Sequence, residues 1–422
     1  MKVKYLIIGS SAASIGAING IRQADKSGSI AVIGEEEGKA YGRPLISYYL
    51  QGRTTKEKMS YMDEGFYLRN AVELYSGVRA KKIDVAKKTV KTDKAGSIGY
   101  EKLLVATGSV PFVPPMEGLD GQENAHTFMR FSDASAIEKE LDENSRVVIV
   151  GGGLIGLKAA EGIYEHTKNI TVVELAPRVL STVLDEEGSE IVRERLEKAG
   201  VRFELGKTVK SVVGKKKITS VVLTDGLELP LDALVLAIGV RPNTALAKDA
   251  GIIVDRGIKV DDFMRTSEKD VFAAGDAAQG YDDSSEQSRI LALWVNAARQ
   301  GFTAGITMAG AQIEKQVFLP LNAIGLFGLS VATAGVNAGE KEGFTVRTER
   351  NGEEYRRIVE KDGRLRGYVL MGREVRGAGI LTEIIYQKYT NAELSGDTVH
   401  SELNMRLMPL SYQRAALELM QD

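Results

Sequence analysis

A strand, a glycine turn and a helix follow one another twice in this chain, and the repetition restricts the available folds more than any other feature. Tyr5 to Arg22 reads YLIIGSSAASIGAINGIR, and Arg146 to Glu161 reads RVVIVGGGLIGLKAAE. In each, a short apolar run stops at a glycine and small and apolar residues with helical spacing follow. The turns open at Gly9 and Gly151, 142 residues apart. A second apolar strand comes after each helix, IAVIGEEE ending at Glu35 and NITVVEL ending near Glu174. Strand, helix and strand at these distances make a βαβ unit. The expected fold class is therefore α/β, with one layered plan used twice in tandem.

The segments between and after the turns complete the plan. TVKTDKAGSIGYEKLLVATGSVP predicts hairpin strands feeding an apolar strand that stops at Thr107-Gly108, and the prolines of SVPFVPPMEG mark a linker. Beyond the second turn come a polar helix around EEGSEIVRERLEKAG, hairpin-like strands, and LDALVLAIGVRPN. TSEKDVFAAGDAAQG is a further apolar strand ending at Gly275-Asp276, and ILALWVNAARQGFTAGITMAG is a helix. From about Lys315 the pattern changes. TVRTERNGEEYRRIVEKDGRLRGYVLM alternates and is punctuated by Asn351-Gly352 and Asp362-Gly363, which predicts an antiparallel meander. A helix near Gly379 to Lys388 and a tail ending SYQRAALELMQD close the chain.

Gly151, Gly153 and Gly156 have the G-x-G-x-x-G spacing of a dinucleotide turn, with Gly152, Leu154 and Ile155 between them. The first glycine permits the tight turn, the second lets backbone approach a pyrophosphate, and the third lets helix and strand pack closely. The N–H groups at the helix start then face the phosphates. Glu174 follows Gly151 by 23 residues, where a carboxylate accepts ribose hydroxyls and repels a 2′-phosphate. That reads as NADH over NADPH, a preference that nearby Arg178 softens. In the first turn Gly9, Ser11 and Ser14 replace the three glycines, and Glu35 lies 26 residues after Gly9. Serine tolerates a positive φ poorly, so this turn is either a second nucleotide site or a packing turn.

Composition removes several functions. Lys and Arg number 55 against 57 Asp and Glu, so no charge excess draws the chain to nucleic acid or an anionic membrane. With no cysteine, the chain carries no catalytic thiol, active disulfide or cysteine-ligated cluster. His126, His166 and His400 are its three histidines, without the spacing of a metal site, and are read as surface or capping residues. MKVKYLIIGSSAASIGAING has the outline of a secretory signal, but the strand IAVIGEEE at βαβ distance favours a folded element. No apolar run has the length of a membrane span, and a cytoplasmic protein is expected.

Six segments in order, IIGSSAAS, YGRPLISYYL, LLVATGSVP, VIVGGGLIGLKAAE, LVLAIGVRPN and TSEKDVFAAGDAAQ, carry a family resemblance. From residue 1 to about 390 the chain resembles the pyridine-nucleotide-dependent FAD oxidoreductases of the glutathione-reductase fold. Within them it resembles most the NADH oxidase, rubredoxin reductase and nitrite-reductase flavin-domain group. The resemblance implies two Rossmann-like three-layer domains and an α+β C-terminal domain that forms a dimer or partner interface. It places the FAD domain at 1–111 and 241–314, the NAD domain at 112–240, and the interface domain with its tail at 315–422. It also gives each turn a cofactor. The first, from Gly9 through Ser10, Ser11, Ala12 and Ala13 to Ser14, holds the FAD pyrophosphate, and Glu35 takes the adenosine ribose. Arg43 and Pro44 reach the pyrophosphate, Ala80 meets the adenine, and Ala106, Thr107 and Gly108 close over the cofactor. Gly275 and Asp276 bind the ribitol and phosphate region. Leu293 and Trp294 border the flavin pyrimidine edge at a helix N-terminus, with a core aromatic the alternative for Trp294. The second turn, with Glu174 and Gly239, holds NADH.

The departures from the family are equally informative. Relatives that reduce disulfides carry a cysteine just after the segment matching RPLIS, and the family's peroxidase histidine falls where this chain has Ala12. Disulfide reduction and thiol-based peroxidase activity are thereby excluded for the isolated subunit. Many relatives pair a lysine near Ser47-Tyr48 with a glutamate at the position of Lys158, and here the lysine is missing and the glutamate is replaced. Lys158 is expected either to offset negative charge on the reduced flavin, helped by Glu161, or to extend to solvent at the cleft mouth. The leading function is hydride transfer from NADH to FAD and onward electron delivery to a rubredoxin, a ferredoxin-like protein or a partner subunit, by a homodimer or a subunit of a hetero-complex. The alternatives are an NADH oxidase reducing dioxygen and a flavin-bearing structural or signalling subunit. The tail beyond Thr390 packs on the core or docks a partner.

Overall fold

Strands that are apolar at every position have to be covered on both faces, and Ile30–Gly34 and Val147–Val150 are buried throughout. Each lies inside a parallel sheet, and the two sheets belong to separate compact units. The computed structural model describes residues 1–337 and 342–388.

The first unit comprises Met1–Leu45, Thr54–Val110 and Val240–Leu319. Its parallel strands run Val72–Ser76, Ile30–Gly34, Lys2–Ile8, Ser97–Val105 and Val271–Ala273. Thr89–Thr92 and Ala80–Asp84 extend the sheet as an antiparallel hairpin beside Ser97–Val105. The helices Ala12–Ala24 and Trp294–Met308 pack on each other through glycines. A Cβ on Gly16 would lie 2.0 Å from the Ala298 carbonyl oxygen, and one on Gly301 2.0 Å from that of Ala13. Gly20 and Gly305 meet the opposing backbone one turn further on. The proline segment, expected as a linker, contains a strand: Ser109–Pro111 pairs with Val240–Pro242.

The second unit comprises Ile46–Arg53, Pro111–Gly239 and the described chain from Pro320 onward. Its parallel strands run Arg202–Leu205, Ile170–Glu174, Val147–Val150, Ala233–Leu236 and Ala125–Thr127. The helices Leu154–Ile163 and Glu186–Lys198 belong to this part, the latter capped by the Asp185 carboxylate on Gly188 N–H. The meander holds the three strands expected from its turn signals, Thr345–Asn351, Glu354–Lys361 and Arg364–Met371. Asp362 and Gly363 both have positive φ, 52° and 67°, as a two-residue hairpin loop requires. Sequence reasoning did not identify the hairpin Leu321–Leu326 to Leu329–Gly335, which completes five strands. It turns on Phe327 and Gly328, with φ of 49° and 83°. The Phe327 N–H donates to Glu161 Oε1 at 2.7 Å, its carbonyl accepts from Arg195 Nε at 2.9 Å, and its ring stands edge-on to Tyr164. Two helices of the second unit thus fix the turn. Ala378–Gln387 is the last described helix. The tail beyond Thr390 and His400 lie outside the described residues.

Two candidate dinucleotide cradles

The two glycine turns share their backbone bonds. Gly9 has φ 115° and donates to Ile33 O at 2.8 Å, while Ala106 N–H donates to Ile8 O at 2.8 Å. Gly151 has φ 116° and donates to Val173 O at 2.8 Å, while Ala237 N–H donates to Val150 O at 2.8 Å. A Cβ on Gly9 would sit 2.0 Å from Ala106 O, and one on Gly151 2.3 Å from Ala237 O. Both positions are therefore glycine for conformation and space together. Two residues on, Ser11 (φ −136°, ψ −158°) and Gly153 (φ −81°, ψ −175°) are both extended N-caps without a side-chain cap bond. The serine sits where no positive φ is needed. Ser14 is buried with Oγ donating to Ser11 O at 2.7 Å, and a Cβ on Gly156 would meet Gly151 O at 1.9 Å. Both helix starts leave N–H groups uncapped by side chains, the donor set an anionic diphosphate uses.

Around the first turn the structure gathers most of the residues singled out in the sequence. Ser10 packs its Oγ against Gly34, and Ala13 packs against Gly275. Glu35 pairs with Arg79, and Glu36 with Arg43. Arg43 and Pro44 form a single 3-10 turn. Asp276 accepts a hydrogen bond from Ser109 Oγ at 2.7 Å, and burial pushes its carboxyl above the usual range while Ser109 and Arg43 hold it back. Thr107 Oγ1 donates to Asn243 O at 2.6 Å, and Gly108 turns with φ 68° into open space. Leu293 caps the helix that begins at Trp294, and the Trp294 ring stands edge-on to Tyr61, centroids 4.3 Å apart. Ala80 is buried at the start of its strand. Sequence reasoning missed Ser109 and Gln300, whose Oε1 accepts from Gly275 N–H at 2.9 Å and fixes the loop carrying Asp276. Single polar residues inside apolar segments give no pattern to find them by.

Around the second turn, Glu174 Oε2 accepts from Gly152 N–H at 2.6 Å and Oε1 from Ala176 N–H at 2.7 Å. Leu154 and Ile155 form the first helical turn, and Gly239 has φ 131° with nothing near its Cβ position. Lys158 is engaged rather than extended to solvent. Its ammonium pairs with Glu161 Oε2, donates to Gly325 O at 3.1 Å, and lies 4.8 Å from the Tyr48 ring centroid. Tyr48 thus faces the Lys158 cation. Of the histidines, His126 pairs with Glu140 and His166 Nε2 bonds Leu50 O at 2.7 Å.

A family model, "Pyridine nucleotide-disulphide oxidoreductase", matches residues 3–301. The chain belongs to this family. It is 30% identical over 387 residues to the nitrite reductase [NAD(P)H] of Bacillus subtilis strain 168, covering 91% of this chain and 47% of that protein. The chain thus spans about half the length of that relative. It is 29% identical over 390 residues to the NADH-dependent phenylglyoxylate dehydrogenase subunit epsilon of Aromatoleum evansii, covering 91% of this chain and 92% of the relative. Its fold matches a chain of the covalent putidaredoxin reductase–putidaredoxin complex, with TM-score 0.84 and 24% identity over 92% of this chain and 94% of the other.

The family's cofactor pair, FAD and NADH, fits the residues present. In the first unit the Trp294 Nε1–H is buried with no partner, a donor suited to a polar ring edge. In the second, nothing lies within 4 Å of a Cβ placed on Gly153, which leaves room for a pyrophosphate against the helix start. Among the described residues no helix is long and apolar enough to cross a membrane.

Proposed function

We propose that the chain is an NADH-dependent FAD flavoprotein reductase whose electrons go to a redox carrier protein or a partner subunit. The observation that carries this reading is the pair of cradles built to one geometry, each followed by an acidic strand end. The Aromatoleum evansii relative, named both as NADH-dependent and as a subunit, supports it. When bound, FAD supplies the hydride-accepting chemistry and releases electrons to the acceptor. The chain's own residues bind and orient. Gly9 to Ser14, Arg43 and Asp276 hold one dinucleotide, with Trp294 and Leu293 at its ring end. Gly151 to Gly156 and Glu174 hold the other. No side-chain acid, base or thiol is asked to react, in keeping with a sequence that has no cysteine and three histidines. Lys158, its charge balanced by Glu161, serves to position Tyr48 and the hairpin that carries Gly325. The reading assigns 1–111 and 241–314 to FAD, 112–240 to NADH and 315–422 to an interface of a homodimer or hetero-complex, in the cytoplasm.

The test is to reduce the FAD-loaded protein anaerobically with NADH and mix it with a rubredoxin or with oxygen. Reoxidation should be fast with the carrier and slow with oxygen. Faster reoxidation by oxygen would make the chain an NADH oxidase. Failure of NADH to reduce the protein would leave a flavin-bearing structural subunit.

A further inference from the structure

We infer that Ser109 is a positioning residue of the FAD site, its hydroxyl holding the Asp276 carboxylate turned and charged to accept a hydroxyl of the flavin's ribitol chain. The inference rests on the assignment of the first cradle to FAD. Ser109 Oγ donates to Asp276 Oδ2 at 2.7 Å and joins two segments 167 residues apart. A carboxylate offers about four acceptor positions, so one donor leaves room for a second. Asp276 is half-buried, and part of its surface stays open.

Each partner in this bond stands on a backbone fixed by other contacts. Ser109 opens the strand Ser109–Pro111, which pairs with Val240–Pro242. The turn before it is closed by Asn243, whose N–H donates to Gly108 O at 2.8 Å and whose carbonyl accepts from Thr107 Oγ1 at 2.6 Å. On the other side Gln300 Oε1 accepts from Gly275 N–H at 2.9 Å, and the Cβ position of Gly275 lies 3.3 Å from Ala13 and 3.5 Å from Ala297. With both backbones held, the Asp276 side chain is the adjustable part. The serine hydroxyl sets it before a ligand arrives.

The same bond bears on the charge of Asp276. Burial pushes its carboxyl above the usual range, and the Ser109 hydrogen bond and the field of Arg43 oppose that push. Arg43 is paired with Glu36 and lies beside the Tyr41 ring, which offsets part of its field. The helices Ala12–Ala24 and Trp294–Met308 bring Ala13, Ala297 and the uncharged Gln300 to this loop. Loss of the Ser109 hydroxyl therefore moves the carboxyl further up. A carboxylate that binds as the anion holds its ligand best above its own pKa and loses it as pH falls through that value. Ser109→Ala shifts this loss to higher pH.

FAD retention by the full chain tests this, read as the flavin fluorescence freed on dilution of FAD-loaded protein between pH about 8 and about 4. Wild-type affinity should fall towards the acid end. Ser109→Ala should weaken FAD about fivefold at the alkaline end and begin its acid loss about half a pH unit or more higher. Ser109→Thr, which keeps the hydroxyl, should restore both, and Asp276→Asn should bind weakly without an acid loss in this range. A Ser109→Ala profile that is unchanged, or lowered without displacement, or not restored by threonine, would overturn the inference. An Asp276→Asn profile that follows the wild type, or a wild type that does not hold FAD, would overturn the FAD assignment beneath it.

Discussion

Gly151 and Gly153 stand two residues apart and answer to different constraints. Gly151 needs its positive φ and has a carbonyl where a Cβ would go, so Gly151→Ala should destabilise the second unit by about 1–3 kcal/mol, read as a shift in urea midpoint. Gly153 has an ordinary φ and open space. Gly153→Val should leave the midpoint within about 0.5 kcal/mol but weaken 5′-AMP and NADH binding about tenfold or more, since its side chain fills the diphosphate space. Equal loss of stability in both variants would refute this separation. Asp270 supplies a pH-dependent prediction. Its carboxylate accepts from Lys102 at 2.5 Å and Lys88 at 2.6 Å, and these bonds bring its pKa down to about 2. A carboxylate depressed in the folded state adds stability above its unfolded value of about 3.9 and loses it as pH falls towards the folded value. Because Lys88 and Lys102 are 44% and 35% exposed, solvent screens the pair, and Asp270→Asn should cost only about 1 kcal/mol at pH 7. Urea midpoints of variant and wild type should converge between pH about 4 and about 2, and a constant difference would contradict the assignment.

The helix pair Ala12–Ala24 and Trp294–Met308 shows what a sequence pattern can and cannot disclose. Both helices were legible from their small and apolar spacing, and their glycines were in view, but nothing local says that Gly16 and Gly20 face Gly301 and Gly305, 285 residues further along the chain. Gly301→Val should force the backbones apart, lowering stability by about 1–3 kcal/mol and loosening retention of FAD, which a denaturation curve and flavin release would report. The hairpin at Phe327-Gly328 was illegible for a different reason. A phenylalanine with φ 49° is a poor turn former, and the turn is held from outside by Glu161, Arg195 and Tyr164. Asp362-Gly363, whose local chemistry suffices, was read directly. Glu161→Ala should leave the Phe327 N–H without its acceptor and the Lys158 ammonium without its carboxylate partner, and lower the stability of the second unit by about 1–3 kcal/mol, read as a shift in urea midpoint. An unchanged midpoint would show that the turn holds itself.

One plan appears twice in the molecule, with its fifth parallel strand drawn from different ends of the segment. In the first unit that strand, Val271–Ala273, comes late in the chain; in the second, Ala125–Thr127 precedes the glycine turn. The βαβ unit read from the sequence survives this exchange because the register at each turn is set by the central strands. The two serines of the first turn left its role open in the sequence, and only the backbone angles show that Ser11 stands where Gly153 does. The central claim is that both cradles are used, one for each dinucleotide, in a single electron path. Anaerobic stopped-flow reduction by NADH of FAD-loaded wild type and Gly153→Val tests it most directly. The wild type should show fast bleaching of the flavin that saturates with NADH, and the variant, its FAD retained, should need about tenfold or more NADH for half-saturation. Equal saturation in both proteins would show that NADH does not enter through the second cradle.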